Sequence, residues 1–331
     1  VSVFRFSRIE EPGDLPPAES ATIDVALLDM NLGWPNMGHD LIVGAVRNLA
    51  GELAPRLEPA GLAIRVLSFE VRQRHRIPEP PGERFLLYLG TGGPGHPDPR
   101  LNDGRPGGAE IVREDPAWEA PLFSLYGRIL EREDAALLAV CHSFGLLCRW
   151  AHVARPVPRG SKKGGGSRGV RDNILSDEAV SDPWFSRFSA ELPDHRRFRV
   201  IESRHFDLVP NGSFPAGAVP LSYEPDDSDG PRALTMLEMG RRANDPVPRI
   251  LAVNHHPEVI GAENQRRVLK EKYARGEVPE SWYRDRLRLL SEYYADRSDE
   301  DRLRLTSLYT LLLPLRHHLG RLVDRRLADL A

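Results

Sequence analysis

Short apolar runs alternate with amphipathic stretches through the first 260 or so residues. IDVALLD (23–29), LAIRVLSF (62–69) and RFLLYLG (84–90) are short and apolar enough to be strands covered on both faces. Amphipathic helices are expected at 39–53 and 122–133, and the strand 136–140 follows the second. Further strands are expected at 198–202, 218–222, 234–239 and 250–254. Strands alternating with helices, with glycine turns such as Gly90-Thr91-Gly92-Gly93-Pro94-Gly95 at strand ends, predict an α/β fold. Its form is a doubly wound, mainly parallel sheet with the functional site at the C-terminal strand ends.

The pattern changes at both ends of the chain. Residues 1–22, rich in Pro, Glu and Ser after VSVFRF, read as a loosely held N-terminal arm. Residues 23–262 form the α/β domain. Residues 263–331 carry Arg, Leu and Glu at helical spacing and read as a helical appendage, with helices near 262–275, 280–296 and 299–330 and a kink at Pro314. These helices are expected to pack on the parent domain or on a second copy, so a homo-oligomer through them is one expectation. Their Arg residues are interleaved with Asp and Glu, which argues against a nucleic-acid face. The Gly-rich basic stretch PVPRGSKKGGGSRG reads as a mobile surface hairpin or loop and has no GxxxxGK[ST] match.

Composition narrows the class. The 331 residues are 40% hydrophobic and 28% charged, ordinary for a globular protein, and the net charge of −3 gives no general attraction to nucleic acid or an anionic membrane. No apolar run approaches the roughly 20 residues that span a bilayer. The first residues, Val1 to Glu11, lack the apolar core of a secretory signal, so the expected location is cytoplasmic. The two cysteines, Cys141 and Cys148, share one strand-to-helix segment, which argues against a structural disulfide.

Candidate chemistry lies in three fragments. LLAVCHSFGLL places Cys141 between an apolar strand and an apolar helix, with the small residues Ala139 and Ser143 two positions to either side. A nucleophile elbow needs that pattern, because its tight turn crowds those positions and sets the thiol near a helix N-terminus that favours thiolate. Cys148, inside the helix, reads as structural. In ILAVNHHPEV a strand ends in His255-His256-Pro257-Glu258, so nucleophile, base and orienting carboxylate are Cys141, His256 and Glu258. In the glycine turn, Gly92 and Gly93 permit backbone N–H groups to face a carbonyl oxygen. His205, Asp207, His255, His256 and Glu258 are metal-ligand types, but no two have a recognised zinc spacing and no metal is assigned.

GTGGPGHP, AVCHSFG and VNHHPEV resemble, in order, the glycine loop, nucleophile elbow and His-Pro-Glu motif of class I glutamine amidotransferases, in particular the stand-alone, GMP synthase-like glutamine amidotransferase domain. SRHFD (203–207) resembles the family's segment between elbow and triad histidine. The resemblance covers roughly residues 23–262. It implies a flavodoxin-like fold, Cys141, His256 and Glu258 as the triad, and Gly93 with the N–H of His142 as the oxyanion hole. It further implies substrate contacts from Gly92, Gly145, His205, Phe206 and Asp207, and no cofactor. The family elbow reads Gly-x-Cys-x-Gly-x-Gln, and here Gly145 replaces the Gln, which leaves the acyl donor open.

The resemblance implies thiolate attack on a glutamine-type carboxamide, a thioester, and ammonia that is released or passed to a synthetase partner. Two other expectations stand beside it: a non-catalytic amidotransferase-like interaction subunit, and an acyl (γ-glutamyl) transferase with the same triad.

Overall fold

The computed structural model describes residues 2–104, 111–160, 165–225, 232–242, 244–294 and 297–330. Its strands are β1 (Phe4–Ile9), β2 (Thr22–Asp29), β3 (Ala63–Glu70), β4 (Phe85–Gly90), β5 (Ala136–Val140) and β6 (Ala154–Pro158). They continue with β7 (Ser167–Leu175), β8 (Arg197–Arg204), β9 (Phe206–Pro210), β10 (Ala218–Tyr223), β11 (Leu234–Met239) and β12 (Ile250–Val253). The helices are α1 (Met37–Glu52), α2 (Ala54–Leu57), α3 (Val71–Arg74), α4 (Glu119–Glu131), α5 (His142–Trp150), α6 (Asp177–Ser181) and α7 (Phe185–Glu191). After β12 come α8 (Ala262–Ala274), α9 (Glu280–Tyr293), α10 (Arg297–Ser307) and α11 (Leu313–Leu330).

The sheet runs β1-β3-β2-β4-β5-β12-β11-β10-β7-β8, parallel from β1 through β12 and antiparallel from there on. Within it, β3-β2-β4-β5-β12 has the flavodoxin-like order, so the fold is the doubly wound α/β class expected from the sequence. Alternation explains the layering. Along β2, Val25 and Leu27 face one core with α1 and α11, while Ala26 and Leu28 face the other with α4 and α5. Among the described residues, no helix is long and apolar enough to cross a membrane.

Three segments differ from the sequence expectation. Residues 4–9 are not a loose arm: they pair with β3 in parallel register, Phe4 opposite Ile64 through Ile9 opposite Phe69. Arg5 and Arg8 are exposed on this edge strand, Arg5 pairing with Glu19 at 3.0 Å and Arg8 with Asp29 and Glu70 at 3.7 Å each. The basic loop carries β6 and the start of β7, while residues 161–164 lie outside the described residues.

The C-terminal helices are present, but their second half is built into the main core. Leu311, Leu315, Leu319 and Val323 are at most 2% exposed and share a cluster with Val25, Leu27 and Val253. Instead of a simple kink, a π-helical turn over Leu308–Leu312 precedes Pro314, with the Leu313 N–H donating to the Leu308 carbonyl. Proline has no N–H for an i−4 carbonyl, and the wider turn accommodates that loss.

Candidate active site

Strand register brings the three sequence fragments together. Gly90 of β4 pairs with Ala139 of β5, and Val140 of β5 pairs with Val253 of β12. The chain leaves these three adjacent parallel strands at the same edge, carrying Gly92, Cys141 and His256 with it.

Cys141 sits between β5 and α5 with φ 50° and ψ −101°, a conformation costing about 1–3 kcal/mol in a non-glycine residue. The surroundings hold it there. Its N–H donates to the Val253 carbonyl at 2.7 Å, and its carbonyl accepts from the Gly145 N–H at 3.1 Å. The small residue at plus two is required: Ser143 is fully buried, and a Cβ on Gly90 would stand 2.6 Å from its Oγ. Ser143 instead donates its hydroxyl to the Thr91 carbonyl at 2.7 Å, tying the elbow to the glycine loop. Cys148 is fully buried, and burial pushes its thiol well up.

His256 shares a 2.8 Å hydrogen bond between Nδ1 and Oε1 of Glu258, whose side chain is 1% exposed. Burial opposes charge on the imidazole, but the negative charges of Cys141 and Glu258, with hydrogen bonds donated to both, hold its pKa well above 6.5. His256 therefore lies between the thiol and the carboxylate. The neighbouring His255 is excluded from this role. It is fully buried, its Nε2 lies 3.2 Å from Oγ1 of Thr310, and burial reinforced by the charge of His256 lowers its pKa to about 3.

Two glycines shape the approach to Glu258 and Cys141. A Cβ on Gly38, in the first turn of α1, would stand 2.6 Å from Oε1 of Glu258, so the bare backbone lets that carboxylate reach the positive end of the helix. A Cβ on Gly92 would stand 3.1 Å from Cε1 of His256 and 3.4 Å from Cβ of Cys141. Gly93 passes so close to β2 that a Cβ would fall 2.1 Å from the Met30 carbonyl oxygen. The loop is clamped by Arg72, which donates to the carbonyls of Met30 and Pro94 at 2.8 Å each and forms a two-pronged ion pair with Glu114.

A pocket of about 160 Å³ opens on Cys141 and His256. Gly93, His142, Gly145, His205 and Phe206 also line it, whereas Gly92 and Asp207 do not; Asp207 pairs with Arg159 at 2.7 Å. His142 is buried, and burial reinforced by Arg72, His96 and Arg149 holds its pKa well below 6.5. At Gly145 a Cβ would meet Cγ of Pro97 at 2.9 Å, so proline fills the direction in which a side chain would leave. A second cavity, about 510 Å³, adjoins this one across Trp34, Pro35 and Asn36. Among the described residues, no group of three or more His, Cys, Asp or Glu side chains is placed to hold a metal ion.

Several residues at this site escaped the sequence reading. Asn254 and Arg286 line the Cys141 pocket, and Ser307 donates its hydroxyl to the Pro257 carbonyl at 2.6 Å. Asn254 lies inside the motif already singled out, so its position was readable there. Nothing local marks Arg72, Arg286 or Ser307.

No family model matches the chain, and no curated protein matches it. Solved structures similar to it include a glutamine amidotransferase from Thermotoga maritima, 17% identical, covering 91% of this chain and 98% of that one with a TM-score of 0.48. A glutamine amidotransferase from Methylobacillus flagellatus is 14% identical, with 76% and 74% covered and a TM-score of 0.45. The glutaminase domain of Trypanosoma brucei CTPS, solved with bound acivicin, is 11% identical, with 72% and 87% covered and a TM-score of 0.44. These likenesses are distant, and the chemistry proposed below is supported by the geometry of this site.

Proposed function

We propose that this chain cleaves a glutamine-type carboxamide through a thioester on Cys141. The observation that supports this most is that Cys141 and His256, at the ends of two adjacent strands, line one pocket, with His256 hydrogen-bonded to Glu258 at 2.8 Å. The Cys141 thiolate attacks the amide carbon, and the oxyanion is held by the N–H groups of Gly93 and His142. The C–N bond breaks as ammonia leaves with a proton from Nε2 of His256. His256 then takes a proton from water, whose oxygen attacks the thioester; the C–S bond breaks and a carboxylate is released. Glu258 holds the tautomer and orientation of His256 and does not itself transfer the proton.

The test is covalent labelling with a diazoketone analogue of glutamine, together with ammonia release from a panel of carboxamides. Adduct formation at Cys141 is expected. Ammonia release should fall to background in Cys141→Ala and His256→Ala and remain measurable in Glu258→Gln. Labelling elsewhere, or full turnover without the thiol, overturns the proposal.

The adjoining cavity favours a second reading, in which the thioester passes to an amine acceptor in place of water. Adding hydroxylamine or a small amine to the reaction should then divert the acyl group to the corresponding hydroxamate or amide. Hydrolysis unaffected by any acceptor would leave the simple amidase.

A further inference from the structure

Arg286 reaches the Cys141 pocket from α9, outside the segment that carries the triad motifs. Its helix neighbours are neutralised: Arg284 pairs with Glu280 at 2.6 Å, and Arg288 with Asp285 and Glu292 at 2.8 and 3.1 Å. Among the described residues, no carboxylate pairs with Arg286. Its guanidinium instead packs over Trp282, 5.3 Å from the ring centroid. The other arginine of the pocket, Arg204, is engaged by Glu202 and Glu224, each at 3.2 Å.

The rest of the pocket asks for a polar ligand, and among the described residues its other arginine, Arg204, is already charge-balanced by two glutamates. Nδ2 of Asn254 and Nε2 of His142 are buried without a hydrogen-bond partner, and both residues line the pocket. Gly145 faces Pro97 and offers no side-chain contact. A neutral amide donor would leave Arg286 without an anion. A donor with a carboxylate at the end remote from its amide would place a charge-assisted pair there.

We infer that Arg286 is a specificity-determining residue that binds the free carboxylate of the donor, so the substrates are amides carrying a carboxylate at the far end, the class that contains glutamine and γ-glutamyl amides. This rests on the carboxamide reading above. The C-terminal helices thus contribute to recognition as well as to packing.

The experiment compares the rate at which Cys141 is labelled by a diazoketone analogue of glutamine and by the carboxyl methyl ester of that analogue, in wild type, Arg286→Gln and Arg286→Lys. Iodoacetamide reports the intrinsic reactivity of the thiol. In Arg286→Gln the preference for acid over ester should fall about tenfold, the loss expected for one charged hydrogen-bonding group, with the iodoacetamide rate unchanged. Arg286→Lys should restore part of it. An acid-to-ester ratio unaltered by Arg286→Gln, in a protein whose wild type is labelled, overturns the assignment of Arg286 alone. Iodoacetamide reaction at Cys141 with no diazoketone adduct there in the wild type overturns the carboxamide reading, and this inference with it.

Discussion

Ser307 donates its hydroxyl to the carbonyl of Pro257 at 2.6 Å, so the C-terminal helices hold the backbone between His256 and its carboxylate partner. Thr310 lies within hydrogen-bonding distance of His255, two residues before Pro257 in the same segment. Ser307→Ala leaves the Pro257 carbonyl unpaired in a buried setting and should cost about 1–3 kcal/mol of stability. The expected kinetic signature is a fall in kcat larger than any change in KM, because the pocket wall is intact while the base is displaced. Denaturant unfolding and steady-state kinetics on one preparation check both.

Gly38→Ala should reduce turnover without opening the core, since the new methyl group would press on Oε1 of Glu258. Gly44→Ala on the same helix is the control. Nothing lies within 4 Å of a Cβ there, and replacing a mid-helix glycine should stabilise the protein by about 0.5–1 kcal/mol. Turnover measurements and melting curves separate the two effects.

The alkaline limb of the pH–rate profile should lie well above 6.5, because Cys141 and Glu258 outweigh burial and keep His256 protonated. The sign for stability follows from the same shift. A folded-state pKa above the unfolded value contributes stability that is fully present below about 6.5 and is lost as pH rises through the raised value. Glu258→Gln should move the alkaline limb downward and narrow that window. Histidine NMR titration and unfolding curves across the alkaline range read each part.

Gly145→Gln should weaken the protein and fail to create a glutamine contact. Pro97 occupies the direction of the new Cβ, and overpacking of this kind costs about 1–3 kcal/mol. The double variant with Pro97→Ala should recover much of the loss, a coupling that thermal unfolding of the single and double variants measures.

Leu315→Ala should destabilise the whole domain by about 2–5 kcal/mol, because the side chain is fully buried against the strands. A single cooperative transition that shifts as one is expected. Separate melting of the helices with the sheet unaffected would contradict the shared core.

The order Gly92, Cys141, His256 was legible because each lies in a short motif bounded by its own strand, and parallel register aligns those strands without further information. The α/β alternation was legible for the same local reason. Residues 4–9 were not, since their strand character depends on an edge of β3 that only the folded sheet supplies. Arg72 and Glu114 look like any other charges in sequence; their ion pair is a long-range contact whose value to the glycine loop is purely geometric. Asp207 shows the converse: it stood in a motif-like segment, yet pairing with Arg159 directs it away from the pocket. Gly145 was read as a missing side chain, and the structure shows it as room given to Pro97.

The position of Leu311, Leu315 and Leu319 along the chain bears on synthesis as well as packing. During translation every strand of the sheet is made before these residues, and the interval from residue 254 to residue 323 lasts several seconds at roughly 5–20 residues per second. Until it ends, the core that holds Val25, Leu27 and Val253 has α1 but lacks α11, which joins it in the finished fold. The segment 255–258 gains Ser307 and Thr310 only when the late helices dock, so a nascent chain would hold its thiol in place before its base is fixed.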